Sequence, residues 1–352
     1  MTSTWMQGFT RRSFDLPDST AVARVGGNPA GPVLVLLHGF PQTHVMWHRV
    51  AQALADRFFI VMPDLRGYGD SALKPGVAEL PDHSQHSKRA MAADVVAVLD
   101  ALGVEQFFLC GHDRGGRVAH RLALDFAQRV RGLCVIDIAP TLDMYARTDM
   151  EFARAYYHWF HLIQPAPLPE TMIGGAPQAY LHHKLGGWNY PAAGNATAPA
   201  TATATTDTAT TAATASAASA PPPHAPLGFI EPEALAEYER CFCRPQAIHS
   251  ACEDYRASAG IDLAHDRASR ERGKRIACTT LVLWGQRGVV QRMFNPMALW
   301  QAQCAAKVSG EALPAGHFIP EELPETTAWA LSDFFLGAGA GVQAQAGGQA
   351  GE

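Results

Sequence analysis

Short runs of apolar residues recur along the chain, and helix-like stretches separate most of them. A run that is apolar at every position is typical of a strand buried on both faces, as in a parallel sheet covered by helices. The alternation of such strands with helices predicts an α/β fold with a mostly parallel central sheet. The predicted buried strands are Val33–Leu37, Phe58–Met62, Phe107–Cys110, Leu133–Ile136 and Leu281–Trp284.

The stretches around these runs fit the same fold. Two short strands are predicted near the start of the chain, at Phe9–Asp15 and Thr20–Val25, on either side of a Pro-Asp turn. The predicted helices of the core are Trp47–Ala55, Lys88–Leu102, Arg117–Gln128 and Glu322–Phe335.

The pattern changes in the middle third of the chain, where aromatic residues and histidines replace the buried strands. Helical periodicity appears there in Asp149–Leu162 and Pro232–Cys243. We therefore predict a core formed by residues 1–140 and 266–336. Residues 141–265 are predicted to be inserted into it as a helical cap that closes over a site.

Two segments carry too little large apolar surface to fold. Residues 192–226 are almost entirely Ala, Thr, Pro and Ser, and residues 337–352 are rich in Gly, Ala and Gln. Because little burial is available to offset the entropy of ordering, we predict that both are disordered and carry no chemistry.

Composition excludes several classes of function. The formal net charge is −5 and no Lys/Arg-rich run is present, which argues against nucleic-acid binding. The apolar runs are too short to cross a membrane, and the N-terminus lacks the apolar stretch of a signal peptide. Seven cysteines without metal-ligand spacing fit reduced thiols. The absence of a GxGxxG motif and of a P-loop argues against a nucleotide cofactor. Together, these features predict a soluble cytoplasmic protein with no metal and no organic cofactor.

The sharpest local motif is Gly111-His112-Asp113-Arg114-Gly115, between a predicted strand and a helix. It has the form of a nucleophile elbow, in which glycines allow a tight turn that exposes the central side chain. A carboxylate in that place can displace a leaving group from saturated carbon and form an ester intermediate. Alternatively, Asp113 only caps the next helix. The motif alone does not decide between these interpretations.

Hydrolysis of such an ester requires a base that activates water and a carboxylate that orients the base. His317 is the last of fifteen histidines, and the base comes last in the chain order of nucleophile-elbow enzymes. After Leu281–Trp284 the sequence offers no carboxylate, whereas Asp137 ends a buried strand between two isoleucines. Because an unpaired carboxylate is costly to bury there, we predict Asp113, Asp137 and His317 as the catalytic set.

Backbone N–H groups must also hold the negative charge that develops on the ester oxygen. Phe40 lies at the tip of the first buried strand, and Arg114 comes directly after the nucleophile. We predict that the N–H groups of these two residues form the oxyanion hole.

Five motifs together resemble the α/β-hydrolase superfamily, over nearly the whole chain apart from the insert and the tail. They are HGFPQT (38–43), PDLRGYGDS (63–71), GHDRGGRVAHR (111–121), DIAP (137–140) and GHF (316–318). The similarity is closest to the haloacetate dehalogenases, whose Asp-nucleophile branch also contains haloalkane dehalogenases and soluble epoxide hydrolases. The resemblance implies hydrolysis of small haloacids without a cofactor, and it favours a homodimer.

Arg114 and Arg117 bear on the substrate class. Haloalkane dehalogenases typically carry Trp directly after the nucleophile, where it holds a halide from an apolar substrate. Two guanidinium groups beside the attacking carboxylate instead suit a substrate with its own carboxylate, which Arg binds bidentately. The resemblance assigns both arginines to that group. By itself, Arg117 could equally be an outward-facing helix residue in a surface ion pair.

A leaving halide needs hydrogen-bond donors, and the resemblance places them in the cap. His158, Trp159 and Tyr255 match the halide pocket of the family. Fluoride is a strong acceptor, so three converging donors would reduce the barrier to C–F cleavage. An epoxide hydrolase is the competing interpretation, in which Tyr156 or Tyr157 acts with Tyr255 to polarise an epoxide oxygen.

The sequence thus predicts an enzyme that converts fluoroacetate or chloroacetate to glycolate and halide through an ester on Asp113. The first alternative is an epoxide hydrolase, against which Arg114 argues. The second is a non-catalytic receptor or scaffold of the same fold that binds a small carboxylate, against which the complete catalytic set argues. The preferred halide stays open, because the haloacetates differ too little in size.

Overall fold

A mostly parallel sheet lies at the centre of the protein. The structure is a computed structural model that describes residues 6–186 and 227–337. The predicted insert at 192–226 lies outside the described residues, as does the predicted tail apart from Gly337. The strands are β1 (Phe9–Asp15), β2 (Ser19–Gly27), β3 (Val33–Leu37), β4 (Phe59–Pro63), β5 (Ala72–Leu73), β6 (Phe107–His112), β7 (Val130–Ile136), β8 (Thr279–Gly285) and β9 (Val308–Leu313).

The order of the strands is β1-β2-β4-β3-β6-β7-β8-β9, and β5 pairs with β2. The pairs formed by β2 are antiparallel, and all pairs from β4 to β9 are parallel. The central strands are buried at nearly every position. This confirms the predicted α/β fold.

Helices flank this sheet and also form the segment between β7 and β8. The core helices are α1 (His48–Leu54), α2 (Lys88–Ala101), α3 (Arg114–Asp125), α12 (Val289–Met293), α13 (Pro296–Gln303), α14 (Ile319–Glu322) and α15 (Pro324–Ser332). The helices between β7 and β8, which we call the cap helices, are α4 (Thr141–Ala146), α5 (Met150–Ala155), α6 (Tyr157–His161), α7 (Leu168–Gly174), α8 (Pro177–Gly186), α9 (Pro232–Phe242), α10 (Pro245–Ala259) and α11 (Ile261–Glu271).

Some predicted boundaries were wrong. The helix expected over residues 149–162 is two helices, because Tyr156 leaves the helical conformation (φ −113°, ψ 39°). The helix after the elbow begins at Arg114 rather than Arg117. Strand β9 was not predicted, since it contains polar residues and a glycine. Gly310 is needed there because a Cβ would lie 2.2 Å from the carbonyl oxygen of Val282.

The carboxyl ends of the parallel strands meet at one edge of the sheet. His112 at the end of β6 is aligned with Ile136 at the end of β7, and Ile136 with Leu283 of β8. Residues that come directly after these strands are therefore brought together, whatever their separation in sequence. In open α/β sheets this edge is where ligands bind.

The turn between β6 and α3 is possible only with glycine on both sides of it. A Cβ on Gly111 would lie 2.4 Å from the carbonyl oxygen of Gly115, and one on Gly115 would lie 2.4 Å from those of Leu37 and His38. These contacts are with backbone atoms, which cannot move away cheaply. The glycines thus allow α3 to begin directly against the end of β3.

Among residues 6–186 and 227–337, no helix combines the length and the apolar character needed to cross a membrane.

We predict that Gly115→Ala destabilises the protein by about 3 kcal/mol, at the upper end of the usual cost of overpacking, because the new methyl group would force α3 away from β3. Gly174→Ala is the matched control, since a Cβ there meets nothing within 4 Å. The control should change the free energy of unfolding by less than about 1 kcal/mol. Urea unfolding followed by circular dichroism measures both. Equal stabilities would show that the close approach at the elbow is not required.

Candidate active site

Asp113 stands at the end of β6 in a conformation that is unusual for a residue with a side chain. Its φ is 45° and its ψ is −115°. Such backbone strain persists only where the surrounding structure imposes it, and it is frequent at active sites. The side chain makes no capping hydrogen bond to α3. Instead, its Oδ2 accepts a hydrogen bond from the N–H of Phe40 at 3.0 Å. The helix-cap interpretation of Asp113 is therefore wrong.

His317 and Asp137 form a buried pair at the same edge of the sheet. The Nδ1 of His317 lies 2.6 Å from Asp137 Oδ2, and the N–H of Gly285 donates to Asp137 Oδ1 at 3.0 Å. Both oxygens of the carboxylate thus have partners. Because Nδ1 donates to a carboxylate, Nε2 is the ring nitrogen that can accept a proton. The segment after β8 offers no carboxylate, but Gly285, the last residue of β8, contributes this backbone donor.

Neighbouring charges adjust the protonation of Asp113 and of His317. Burial would raise the pKa of Asp113, but His317 and Arg117 together hold it below its ordinary value. Burial would lower the pKa of His317, but the hydrogen bond to Asp137 and its charge raise it. Asp113 is therefore ionised at neutral pH, and His317 becomes a stronger proton acceptor than an ordinary histidine.

Arg114 is buried between the nucleophile and the cap, and most of its donors have protein partners. Its Nε and Nη2 bind the carboxylate of Asp254 at 2.8 and 2.6 Å, and Nη2 also donates to Ser258. Only Nη1 has no hydrogen-bond partner within the described ranges. The expectation that Arg114 offers a bidentate fork to a substrate needs correction, because Asp254 already occupies that fork. One donor, Nη1, is left.

Arg117 is also buried, which excludes the surface ion pair. Its Nη1 donates to the carbonyl oxygen of Ala139 at 3.2 Å and to Thr141 Oγ1 at 2.9 Å. Its Nε is buried without a hydrogen-bond partner, and no carboxylate forms an ion pair with it in the described part of the chain. Burial accordingly lowers the pKa of Arg117, although the charge of Asp113 opposes this.

The three residues expected to bind a halide lie together on the cap helices α6 and α10. The ring of His158 packs edge-on against that of Tyr255 at 5.6 Å, and Trp159 approaches Tyr255 at 6.5 Å. Phe40 stacks on His158 at 6.0 Å, which places the cluster beside the predicted oxyanion hole. The hydroxyl of Tyr255 is buried and has no hydrogen-bond partner among the described residues. It is therefore a donor available to a ligand.

The tyrosines of the competing interpretation are arranged less favourably. Tyr157 is partly exposed and its ring faces Lys184, whose Nζ lies 3.7 Å from the ring centroid. Tyr156 is buried, and its ring packs against Phe152 and Trp159. The structure thus places Tyr156 in the aromatic packing of the cap and Tyr157 on its outer side.

The comparisons with known proteins agree with this geometry. The sequence profile of the alpha/beta hydrolase fold matches residues 32–323. A fluoroacetate dehalogenase from Burkholderia sp is 39% identical over 336 residues, which cover 96% of this chain and 97% of that protein. The chain belongs to the α/β-hydrolase family, in the group that contains this dehalogenase. A soluble epoxide hydrolase from Corynebacterium sp. (strain C12) is 29% identical to this hydrolase over 84% of the chain and 87% of that protein.

Solved structures show the same fold over nearly the whole hydrolase. ALR0039 from Nostoc sp PCC 7120 is 44% identical, with a TM-score of 0.79, and the match covers 94% of this chain and 99% of that one. Cfl2 from Burkholderia cenocepacia is 25% identical, with a TM-score of 0.74, over 94% and 97% of the two chains.

Two residues of this hydrolase were missed by the sequence analysis. His112, within the elbow, lies with its Nε2 2.8 Å from the carbonyl oxygen of His317, so it holds the loop that carries the base. Asp254, on α10, is fully buried and binds Tyr68 and Lys88 as well as Arg114. Its neighbour Tyr255 was predicted. The only signal in the sequence was that Asp254 directly precedes Tyr255, which was assigned to the halide pocket.

In residues 6–186 and 227–337, the hydrolase has no cluster of three or more His, Cys, Asp or Glu side chains that could hold a metal ion. Besides the carboxylates of Asp113 and Asp137, the buried polar groups of the site are the guanidinium, hydroxyl and imidazole groups described above. These groups bind anions and move protons.

We predict that Asp254→Asn destabilises the hydrolase by about 3–5 kcal/mol, because it leaves the buried guanidinium of Arg114 without its counter-charge. Asp100→Asn is the control, since Asp100 forms an exposed ion pair with Arg129 at 2.8 Å. That substitution should cost less than about 1 kcal/mol. The free energy of unfolding in urea distinguishes the two. A small effect at Asp254 would contradict its role as the counter-charge.

Proposed function

We propose that this hydrolase removes halide from haloacetates, forming glycolate through an ester on Asp113. The observation that carries the proposal is Arg117, a buried guanidinium that has no carboxylate partner in the described residues and lies near the nucleophile. The charge of Asp113 acts on Arg117 without a direct ion pair, and Asp113 loses that charge when it forms an ester, so a substrate that brings its own anion keeps this buried cation balanced. A neutral epoxide or haloalkane supplies no anion, whereas a haloacetate does.

The available donors suit the carboxylate of a small substrate. Nε of Arg117 and Nη1 of Arg114 are both buried and lack hydrogen-bond partners within the described ranges. The guanidinium of Arg117 lies over the ring of Trp159 at 4.7 Å, and that of Arg114 over the ring of Tyr255 at 4.0 Å. A carboxylate bound between the arginines would therefore sit beside the predicted halide pocket. A two-carbon haloacid is the shortest molecule that could reach both.

In the first step, Asp113 attacks the α-carbon of the haloacetate. Its Oδ2 is held by Phe40, so Oδ1 forms the C–O bond while the C–halogen bond breaks and its electron pair leaves with the halide. The departing halide accepts hydrogen bonds from the Tyr255 hydroxyl and from His158 and Trp159. Burial raises the pKa of Tyr255, so its hydroxyl stays protonated and remains a donor.

In the second step, Nε2 of His317 takes a proton from water, and the resulting hydroxide attacks Cγ of the Asp113 ester. Negative charge then develops on Oδ2, which already faces the N–H of Phe40, and the N–H of Arg114 is the expected second donor. Collapse of the intermediate breaks the bond between Oδ1 and the substrate. The glycolate oxygen receives the proton held by His317, and Asp113 is left as a carboxylic acid that carries the new hydroxyl. That acid loses its proton to His317 and then to solvent, which restores the carboxylate of Asp113 and the free base.

The name of the Burkholderia relative supports the same substrate class. Because an epoxide hydrolase is among the relatives, the experiment below also measures epoxide hydrolysis, although Arg117 gives no support to that activity. A receptor without catalysis would have no need for the paired His317 and Asp137 beside an ionised Asp113.

Halide release from purified protein is the first test. Fluoroacetate and chloroacetate are supplied in separate reactions, with hydrolysis of styrene oxide measured in parallel. We expect fluoride and chloride release and no diol. Release of chloride alone would agree with the mechanism but would exclude fluoroacetate as a substrate. Diol without halide from either acid would refute the proposal in favour of an epoxide hydrolase.

His317→Asn should stop the reaction after its first step, because the ester forms without a base to hydrolyse it. Intact-protein mass spectrometry after incubation with chloroacetate should show an added carboxymethyl group, located by digestion on the peptide that contains Asp113. Asp113→Asn is the control and should gain no mass and release no halide. An unmodified His317→Asn protein, obtained with a substrate that the unsubstituted enzyme turns over, would contradict the covalent mechanism.

A further inference from the structure

A buried carboxylic acid that takes no part in the proposed reaction lies four residues after His317. Glu321 is 1% exposed. Its Oε1 accepts a hydrogen bond from the hydroxyl of Tyr238 at 2.9 Å, and its Oε2 accepts one from the side-chain amide of Gln42. The amide of Gln42 also reaches the hydroxyl of Tyr238 at 3.4 Å. We call Gln42, Tyr238 and Glu321 the Glu321 cluster. All three side chains are buried.

The cluster joins three segments that build the active site. Gln42 belongs to the loop after β3, and its backbone N–H donates to the carbonyl oxygen of Gly39 at 2.9 Å. That bond closes the turn whose N–H at Phe40 faces Asp113. Tyr238 comes from the cap helix α9, and Glu321 from α14, directly after the loop of the base. The cluster therefore ties the oxyanion turn to the cap and to the loop that carries His317.

Burial favours the protonated form of Glu321. Burial raises its pKa to about 8, against the opposing effects of Tyr238, Arg49 and Gln42. Independently, the amide oxygen of Gln42 is buried and has no hydrogen-bond partner in the described part of the chain. A carboxylic acid can donate to that oxygen and accept from the same amide, whereas a carboxylate can only accept. A proton on Glu321 would therefore supply the donor that the amide oxygen of Gln42 lacks.

Charged groups surround Glu321 from every element packed against it. From α1, Arg49 donates to the backbone carbonyl of Glu321, and His48 lies 3.0 Å from Glu231, which precedes α9. Within α14, Glu322 accepts hydrogen bonds from backbone N–H groups of the preceding loop. These groups have partners of their own, so none of them forms an ion pair with the Glu321 side chain.

Two further titratable residues nearby interact with another side chain or with solvent. His44, on the short helix at His44–Trp47, binds Asp64 at 2.7 Å. Glu325, on α15, is exposed. The pKa of Glu321 is therefore determined mainly by its burial, which the Tyr238 hydroxyl, the charge of Arg49 and the Gln42 amide oppose.

We propose that Glu321 is a positioning residue, which through Gln42 fixes the turn that presents the Phe40 N–H to Asp113 and through Tyr238 fixes α9 above that turn. The inference rests on the proposed function. It concerns mainly the second step. During ester formation Asp113 loses negative charge, so the Phe40 N–H stabilises the reactant more than the transition state. During ester hydrolysis charge returns to Oδ2, so the same donor stabilises the transition state.

Glu321→Ala should therefore slow ester hydrolysis more than ester formation. We expect kcat for chloroacetate to fall on the order of tenfold, less than the 10²–10³ lost on complete removal of an oxyanion donor. The Asp113 ester should accumulate during turnover, detectable by rapid quenching and mass spectrometry, with a burst of chloride release. Lost packing alone would not favour the ester over the free enzyme.

Glu321→Gln supplies the conservative rescue, because a neutral amide keeps both donating and accepting groups. It should retain kcat within about threefold and show no accumulated ester. In the unsubstituted enzyme, ester should accumulate as the pH rises through about 8 and Glu321 loses its proton. This alkaline accumulation should be absent in Glu321→Gln. Glu325→Ala, an exposed site nearby, is the control and should behave like the unsubstituted enzyme at every pH.

Tyr238→Phe keeps the inference testable if Glu321→Ala fails to fold. It removes one hydroxyl and should show the same accumulation of ester with a smaller fall in kcat. If Tyr238→Phe and Glu321→Ala hydrolyse the ester at the original rate, or if Glu321→Gln fails as severely as Glu321→Ala, the positioning role is refuted. Failure of the proposed function would look different, because the unsubstituted enzyme itself would then release no halide.

Discussion

The ion pair between Arg114 and Asp254 determines how the cap helices sit on the core. Its two partners come from the helix after the nucleophile and from α10 of the cap, and both are fully buried. Lys88 and Tyr68 add further donors to the same carboxylate. A buried pair of this kind contributes little net stability compared with apolar packing, but separating α10 from α3 would leave each partner as an unpaired buried charge, which is costly. The pair therefore favours the observed position of α10 beside α3.

This constraint also determines which donors remain for a substrate. Because Asp254 takes the fork of Arg114, only Nη1 of that residue is left to bind an anion. The positive charge of Arg114 is balanced by Asp254, whereas Arg117 is influenced by the charge of Asp113 and forms no ion pair with a carboxylate among the described residues. In the proposed reaction Asp113 loses its charge when it becomes an ester, and once the halide has left, the carboxylate of the bound haloacid is the anion beside Arg117.

Local patterns in the sequence predicted the sheet and the elbow because those features depend on neighbouring residues. The buried strands are apolar at every position, and the glycines around Asp113 reflect close approaches within one turn. The pairing of Asp137 with His317 could be inferred from chain order and from the cost of burying an unpaired carboxylate. Asp254 could not, because it stands in a helix among charged residues. Its burial depends on Arg114, which is 140 positions away.

Asp113 and Asp137 show how equivalent positions acquire opposite roles. Each comes directly after a strand, the strands are adjacent and parallel, and both residues have positive φ angles, 45° and 50°. Their backbone N–H groups even make the same bond, to a carbonyl oxygen of the next strand. The two positions differ in the segment that the chain enters after each aspartate. Arg114 begins a helix against β3, and Oδ2 of Asp113 faces the N–H of Phe40 while Oδ1 has no hydrogen-bond partner within residues 6–186 and 227–337. Asp137 enters a loop beside β8, where Gly285 and His317 engage both oxygens. A carboxylate with both oxygens engaged orients a base, and one with an unengaged oxygen can attack.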